Sequence, residues 1–343
     1  MAILRDLDKY FYWDAKRDMP VPYYRNKEIL PSWIGFSDQD PAVAQGVYTI
    51  PAAAAGLAAS TYFAQPYSSV EGLDENLGTV FEALNLMFAD STDTTAAAAW
   101  TLMLTEQGAV RQLMNFPCHI RTVAGVAQTP AILREPLIIP SRHVITARMV
   151  KIAGGAVNVR MFFGGRQYFP WAPEFLRYRS EHEALKTRIR ALLQRRLTIA
   201  PFWLTTDGPI QLAGGTGADF ILKPGNDAQF EAFACAAVST GNFAWSLEDA
   251  KTFQTLMNGQ VTQTNATGNA LFPTLFSTPY VLPADKRFRL RVLDLSGAGN
   301  TIWFTLWGRK IYAPFMEMRD AMADLAVPTM ADQQALLVPA PME

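Results

Sequence analysis

Two cysteines and three histidines are all that 343 residues contain of the side chains that most readily bind transition metals. Cys118 and Cys235 are too few for a disulfide framework or a thiolate zinc site, and they predict two buried thiols in a reducing compartment. His119, His143 and His182 stand in unrelated contexts, and no HExxH or HxxxH pair occurs. Adjacent strand side chains point to opposite faces, which weakens a nucleophile–base role for Cys118 and His119. No GxSxG elbow, Walker loop or dinucleotide fingerprint is present, and the glycines at Gly214, Gly215 and Gly217 lie between short strand-like runs, as in a turn. Asp207, Asp219, Asp227 and Asp249 also sit at or near turns, without spacing that marks a glycosidase pair or a calcium loop. The expectation is no catalytic residue, no metal ligand set and no cofactor.

An excess of one charge is missing too. Thirty Lys and Arg against 31 Asp and Glu leave a net charge of −1, so there is no broad basic field to hold nucleic acid. Long hydrophobic runs are absent: the Ala-rich stretch from Ile50 to Ser60 falls short of the ~18–20 apolar residues of a membrane span. The opening MAILRDLDKYFYWDAKR carries charges where a signal peptide needs an apolar stretch. A soluble protein made in a cytoplasm is expected. Half of the residues are hydrophobic, a globular composition, and the length suits two domains.

What the chain does have is a repeat. Leu113-Met114-Asn115 set over Leu256-Met257-Asn258 fixes an offset that then holds without a gap. Along it Gly125 meets Gly268, Pro130 meets Pro273, Pro136 meets Pro279 and Pro140 meets Pro283. Arg148 then meets Arg291, Gly154 meets Gly297, and Gly165-Arg166 meets Gly308-Arg309. About a dozen identities fall in roughly 58 positions, where composition alone supplies about four. Apolar positions coincide as well, Ile145 with Phe288 and Phe163 with Leu306 among them. One domain has been copied in tandem.

The repeated unit reads as β-structure. Phe288, Leu290 and Val292 alternate with Arg287, Arg289 and Arg291, the period of a half-buried strand. After the SGAGN turn, Ile302, Phe304 and Leu306 line the inner face of a second strand, and the two predict a hairpin. Upstream, short strand-like runs separated by DG, GGTG, PGND and STGN suit a jelly roll of about eight strands. Between the copies, Leu185, Ile189, Leu192 or Leu193, and Leu197 form a helical stripe, with Ser180 and Glu183 as a capping box. Its Lys186, Arg188, Arg190, Arg195 and Arg196 form either a contact surface or a solvated face. The fold class expected is all-β: tandem duplicated β-sandwich (jelly-roll) domains joined by one amphipathic helix, with extended N- and C-terminal arms. The divisions are an aromatic-rich arm over 1–46, a first sandwich over 47–175, a linker helix over 176–198, a second sandwich over 199–314 and an arm over 315–343.

The residues RLRVLDLSGAGNTIWFTLWGRKIY, preceded by STGNFAWSLEDAKTFQTLMNGQV, resemble the β-sandwich structural proteins of bacteriophage particles, in which D-x-SG-x-x-N leads to a Gly-Arg-aromatic close. The first copy departs from this pattern, with Lys151 and Val157 where the second has Asp294 and Asn300. The resemblance implies a non-enzymatic virion component (head surface, capsid or neck), made in the host cytoplasm and acting through contacts with itself, a trimer by preference, and with other virion proteins. Its closest variant is a double-jelly-roll major capsid protein of a tailless icosahedral phage, with the two barrels side by side. A carbohydrate- or receptor-binding β-sandwich is the alternative from another class. Candidate subunit contacts are the aromatics Tyr10, Phe11, Tyr12, Trp13, Tyr23, Tyr24 and Trp33 of the first arm, with Trp303 and Trp307 of the last strand. Trp303 points away from Ile302 and Phe304, so it is either exposed or covered by another part of the chain.

Overall fold

Alternating apolar residues and closely spaced turns make this chain a set of strands. In the computed structural model the described residues are 11–14, 19–22, 29–36, 48–50, 52, 60–64, 80–90, 99–107, 111–140, 143–168, 179–284 and 286–312. Strands β1 (Phe11–Asp14) and β2 (Met19–Pro22) pair antiparallel. The first sandwich follows with β3 (Ile29–Gly35), β4 (Tyr48–Ile50), β5 (Ser60–Ala64), β6 (Val80–Asp90) and β7 (Trp100–Glu106). It continues with β8 (Arg111–Gln112), β9 (Cys118–His119), β10 (Ala131–Pro140), β11 (Ile145–Lys151) and β12 (Val157–Tyr168). Helix α1 (Arg179–Thr198) leads into the second sandwich. Its strands are β13 (Ile199–Thr205), β14 (Ile210–Leu212), β15 (Gly217–Leu222), β16 (Ala228–Ser239) and β17 (Phe243–Asp249). Then come β18 (Val261–Thr262), β19 (Thr274–Leu282), β20 (Phe288–Asp294) and β21 (Asn300–Tyr312).

The strand orders identify the unit. One sheet of the first sandwich runs β10-β6-β12-β3, with β4 also on β12; its counterpart runs β19-β16-β21-β13, with β14 also on β21. The facing sheets run β5-β11-β7-β8, with β9 also on β7, and β15-β20-β17-β18. Apart from β8, whose place in the second half is taken by a single bridge between Glu248 and Thr255, the strands correspond one to one, with β9 matching β18. The two halves are the same two-sheet jelly roll, and the chain is a tandem duplication of one all-β fold.

Irregularities are duplicated along with the strands. Opposite Gly164 and Gly165, β6 carries an extra residue, Leu84; opposite Trp307 and Gly308, β16 carries Phe233. Strands β10 and β19 both slip register around a proline, Pro136 and Pro279. Gly125 and Gly268 each make a parallel bridge to the neighbouring long strand, at Met87 and Ala236. Backbone bonds outside the ladders recur in pairs. Gln107 N–H donates to Val144 O as Ala250 N–H does to Arg287 O, both at 2.9 Å. Leu113 N–H donates to Leu104 O at 3.0 Å as Leu256 N–H does to Leu247 O at 2.9 Å.

Two expectations are corrected. β20 and β21 do not form a hairpin: β20 pairs with β15 and β17 in one sheet, β21 with β13, β14 and β16 in the other. The SGAGN turn crosses between sheets, and the apolar faces of both strands still meet in the core. The first arm is shorter than 1–46, because β3 pairs with β12 over seven residues and is the edge of the first sandwich. The second arm, 315–343, lies outside the described residues.

Helix α1 docks on the first sandwich through buried Ile189, with Leu192 and Leu193 against Val80, Ile138 and Tyr168. Leu197, expected on that stripe, is exposed. The side chains of Leu185, Ser180 and Glu183 lie outside the description, and the helix starts before Ser180, at Arg179. Among the described residues no helix is long and apolar enough to cross a membrane.

Candidate functional site

The chemistry of this chain is concentrated where its two halves meet. Strand β21 is buried on both faces: Ile302, Phe304 and Leu306 enter the second sandwich's own core, while Trp303, Thr305 and Trp307 face the first sandwich. Trp203 of β13 and Trp307 close the first sandwich's core from outside, together with Ala200, Phe233, Ala234, Ala236 and Ala270. Their rings meet edge to face at 6.4 Å and 75°. One jelly roll thus lies along the flank of the other, with contact through a sheet face.

Onto that face folds the segment from Leu113 to Val123. Trp203 N–H donates to Leu113 O at 2.9 Å, and Asn115 N–H donates to Trp203 O at 3.3 Å, a short parallel extension of the sheet centred on Met114. The Asn115 amide completes it, donating to Thr205 O at 2.7 Å and accepting Thr205 N–H at 2.8 Å. Trp307 Nε1 donates to Thr122 O at 2.7 Å, and the Thr122 and Thr305 hydroxyls bond at 2.8 Å. His119 Nδ1 accepts Arg121 N–H at 3.2 Å, and the ring lies 5.7 Å from that of Trp303. Burial lowers the His119 pKa to about 4, reinforced by Arg121. Burial also raises both thiols, Cys118 far above its ordinary value and Cys235 to about 12, so neither supplies a thiolate.

Ion pairs fasten the helix across the junction. Buried Glu135 of β10 accepts two bonds from Arg195 of α1, at 2.8 and 2.9 Å, and one from Arg309 of β21 at 3.1 Å. Arg309 also donates to Glu231 at 2.7 Å. Arg196, buried, pairs with Glu106 and contacts His143 Nδ1 at 2.7 Å. The His143 pKa is lowered by burial and then by the Arg196 charge. Arg188 stacks over the Tyr168 ring. Three of the helix's basic residues, Arg188, Arg195 and Arg196, therefore hold it to its own chain. Beside the junction a groove of about 570 Å³ is lined by Arg111, Lys223 and Lys310 among others. Two of these cations are engaged: Lys310 by Asp227, and Arg111 by the carbonyls of Arg196 and Leu197.

The D-x-SG-x-x-N stretch has a structural role. The Asp294 carboxylate accepts N–H bonds from Gly215 and Gly297, the Ser296 hydroxyl and the Asn300 amide, tying together two turns at one end of the second sandwich. Asn300 adds a third by accepting Gly241 N–H at 2.9 Å. These bonds, led by that from Gly215, hold the Asp294 carboxyl far below the usual carboxylate range.

The expected contact residues divide. Trp33 is 64% exposed on β3. Trp303 and Trp307 are 8% and 3% exposed, which corrects their reading as subunit contacts: within the same chain His119 lies against Trp303, and Trp307 joins the first sandwich's core. Tyr10, Tyr23 and Tyr24 lie outside the described residues; of Phe11, Tyr12 and Trp13 only the β1 backbone pairing is described. Sequence reasoning missed Asn115, Thr122, Glu135 and Trp203. The repeated Leu-Met-Asn, and Pro31-Ser32-Trp33 against Pro201-Phe202-Trp203, were the available signals. Among the described residues no three His, Cys, Asp or Glu are grouped to hold a metal ion.

Fold and junction together define a tandem double jelly roll. No protein-family model matches the sequence, and no curated protein matches it. Among solved structures, vicilin from Capsicum annuum is similar over 72% of this chain and 75% of that one, at 9% identity and a TM-score of 0.18. The coconut allergen cocosin is similar over 82% and 85%, at 10% identity and a TM-score of 0.17.

Proposed function

We propose that this chain is a structural subunit of a bacteriophage particle that acts through contacts between its own copies, a trimer by preference, and with other virion proteins. The observation that carries this reading is the junction itself: two like jelly rolls, packed side by side within one chain through a shared core, present two quasi-equivalent sets of faces. The resemblance of the Asp294–Tyr312 stretch to virion β-sandwich proteins supports the same reading. Packing through a sheet face, with Trp203 and Trp307 between the barrels, favours the double-jelly-roll major capsid protein of a tailless phage over a neck or surface component. The carbohydrate-binding alternative loses Trp303 and Trp307, which a glycan cannot reach when both are buried. In this role the protein carries no hydrolytic activity.

The test is the protein composition of purified particles of the phage that carries the gene. Mass spectrometry is expected to find this chain at a copy number matching a shell component. Its absence from infectious particles overturns the virion reading.

A further inference from the structure

Trp33 and Trp203 occupy the same place in the two jelly rolls. Trp33 of β3 stands opposite Gly164 of β12, and Trp203 of β13 stands opposite Trp307 of β21, just beyond the duplicated bulge in each case. Each follows a Pro-x, at Pro31 and Pro201. Both strands end their sheet. In antiparallel pairing a residue directs both backbone groups toward its partner or both away. Trp203 directs its groups away from β21, where Leu113 and Asn115 bond them. The matching register directs those of Trp33 away from β12, and no described residue bonds them there.

The complementary piece is duplicated as well. Leu256-Met257-Asn258 is held against its own sandwich as Leu113-Met114-Asn115 is, by the bond from Leu256 N–H to Leu247 O. Leu113 and Met114 are wholly buried because Trp203 lies against them; Leu256 and Met257 are only partly buried and Asn258 is exposed. Trp203 is 2% exposed, whereas Trp33 is 64% exposed. Each jelly roll carries one tryptophan edge and one Leu-Met-Asn segment. Among the described residues, the first segment is joined to the second edge, and nothing is joined to the second segment or the first edge.

We propose that Leu256-Met257-Asn258 of one copy extends the Trp33 edge of the next copy, repeating between chains the contact that Leu113-Met114-Asn115 makes with Trp203 within one. The partner is a second copy of this chain, and the sheet gains a strand by backbone bonding. The contact is head to tail, so copies add until a ring closes. It is also the weaker of the two. Gly164 stands where Trp307 does, Phe162 where Thr305 does and Asn265 where Thr122 does, so the Trp–carbonyl and Thr–Thr bonds do not recur. The proposal names the contact for the assembly reading above, and its test does not depend on any particle.

The experiment is oxidative cross-linking of the full chain carrying Trp33→Cys and Met257→Cys. Neighbouring strands bring such positions within disulfide reach, and the native Cys118 and Cys235 are buried. The double variant is expected to form covalent multimers beyond the dimer, while each single variant stays monomeric on a non-reducing gel. In the second arm, Asn258→Pro removes the N–H that the contact needs at an exposed residue; it is expected to give monomers by sedimentation with an unchanged far-ultraviolet circular dichroism spectrum. A double variant that does not cross-link, Trp33→Cys chains that link to each other, or an Asn258→Pro chain that keeps the native oligomer overturns this contact. The virion reading is judged separately by particle composition.

Discussion

At Gly165 and Gly308 the long strands β12 and β21 pass so close to the bulged strands beside them that a Cβ would overlap the Glu82 and Glu231 carbonyls. Neither glycine has positive φ, so space and not backbone conformation requires it. Gly165→Ala and Gly308→Ala are each expected to cost about 1–3 kcal/mol by the strain of overpacking, read as a lower urea midpoint. His119 makes a pH-dependent contribution. Its pKa is about 4 folded against 6.5 for an ordinary histidine. Between those values the unfolded chain binds a proton that the folded chain does not, so stability falls as pH drops from 6.5 to 4. The size is roughly 3 kcal/mol, at 1.36 kcal/mol per pKa unit. His119→Gln is expected to flatten the melting temperature across that window relative to the native chain; an unchanged slope contradicts the assignment. Asp294 acts with the opposite charge: its pKa is depressed, so its contribution is present above the ordinary carboxylate value and is lost as pH falls through the folded one.

Among the elements, β20 was legible and β21 only half so. β20 has one wet face, where Arg289 and Arg291 pair with Glu248, and its alternation reads directly from sequence. In β21 both faces are buried, so Trp303, Thr305 and Trp307 carry no polar signature that says what covers them. The cover is a segment some 180 residues earlier in the chain, at Thr122. The error over the β20–β21 connection has a related cause: a five-residue glycine turn reverses the chain whether the next strand joins the same sheet or the facing one, and only distant partners decide. Helix α1 was legible in extent, while the role of its charges depended on Glu106 and Glu135, which no local pattern connects to it. Glu135→Gln removes the charge that gathers Arg195 and Arg309, and is expected to cost about 1.5–3 kcal/mol, the range for hydrogen bonds to charged groups. Hydrogen exchange reads it as faster opening of residues 187–198; unchanged protection there contradicts the clamp.

For the whole molecule, the duplication is the feature that sequence conveyed best, because glycines and prolines mark turns and bulges that a jelly roll cannot move. Backbone bonds outside the ladders recur 143 residues apart, at Gln107 and Ala250 and at Val144 and Arg287, and they place the two copies on one plan. The docking of the copies was not legible, since it depends on which of two equivalent tryptophan edges a segment meets. Within the chain that edge belongs to Trp203; Trp33 offers the same edge outward. On the proposal above, the chain makes the stronger of two related contacts internally and leaves the weaker one for its neighbour. The most direct check is the native mass of the purified full-length chain. A single closed species of three chains, six jelly rolls in all, is the predicted result, and a monodisperse monomer at every concentration contradicts the account.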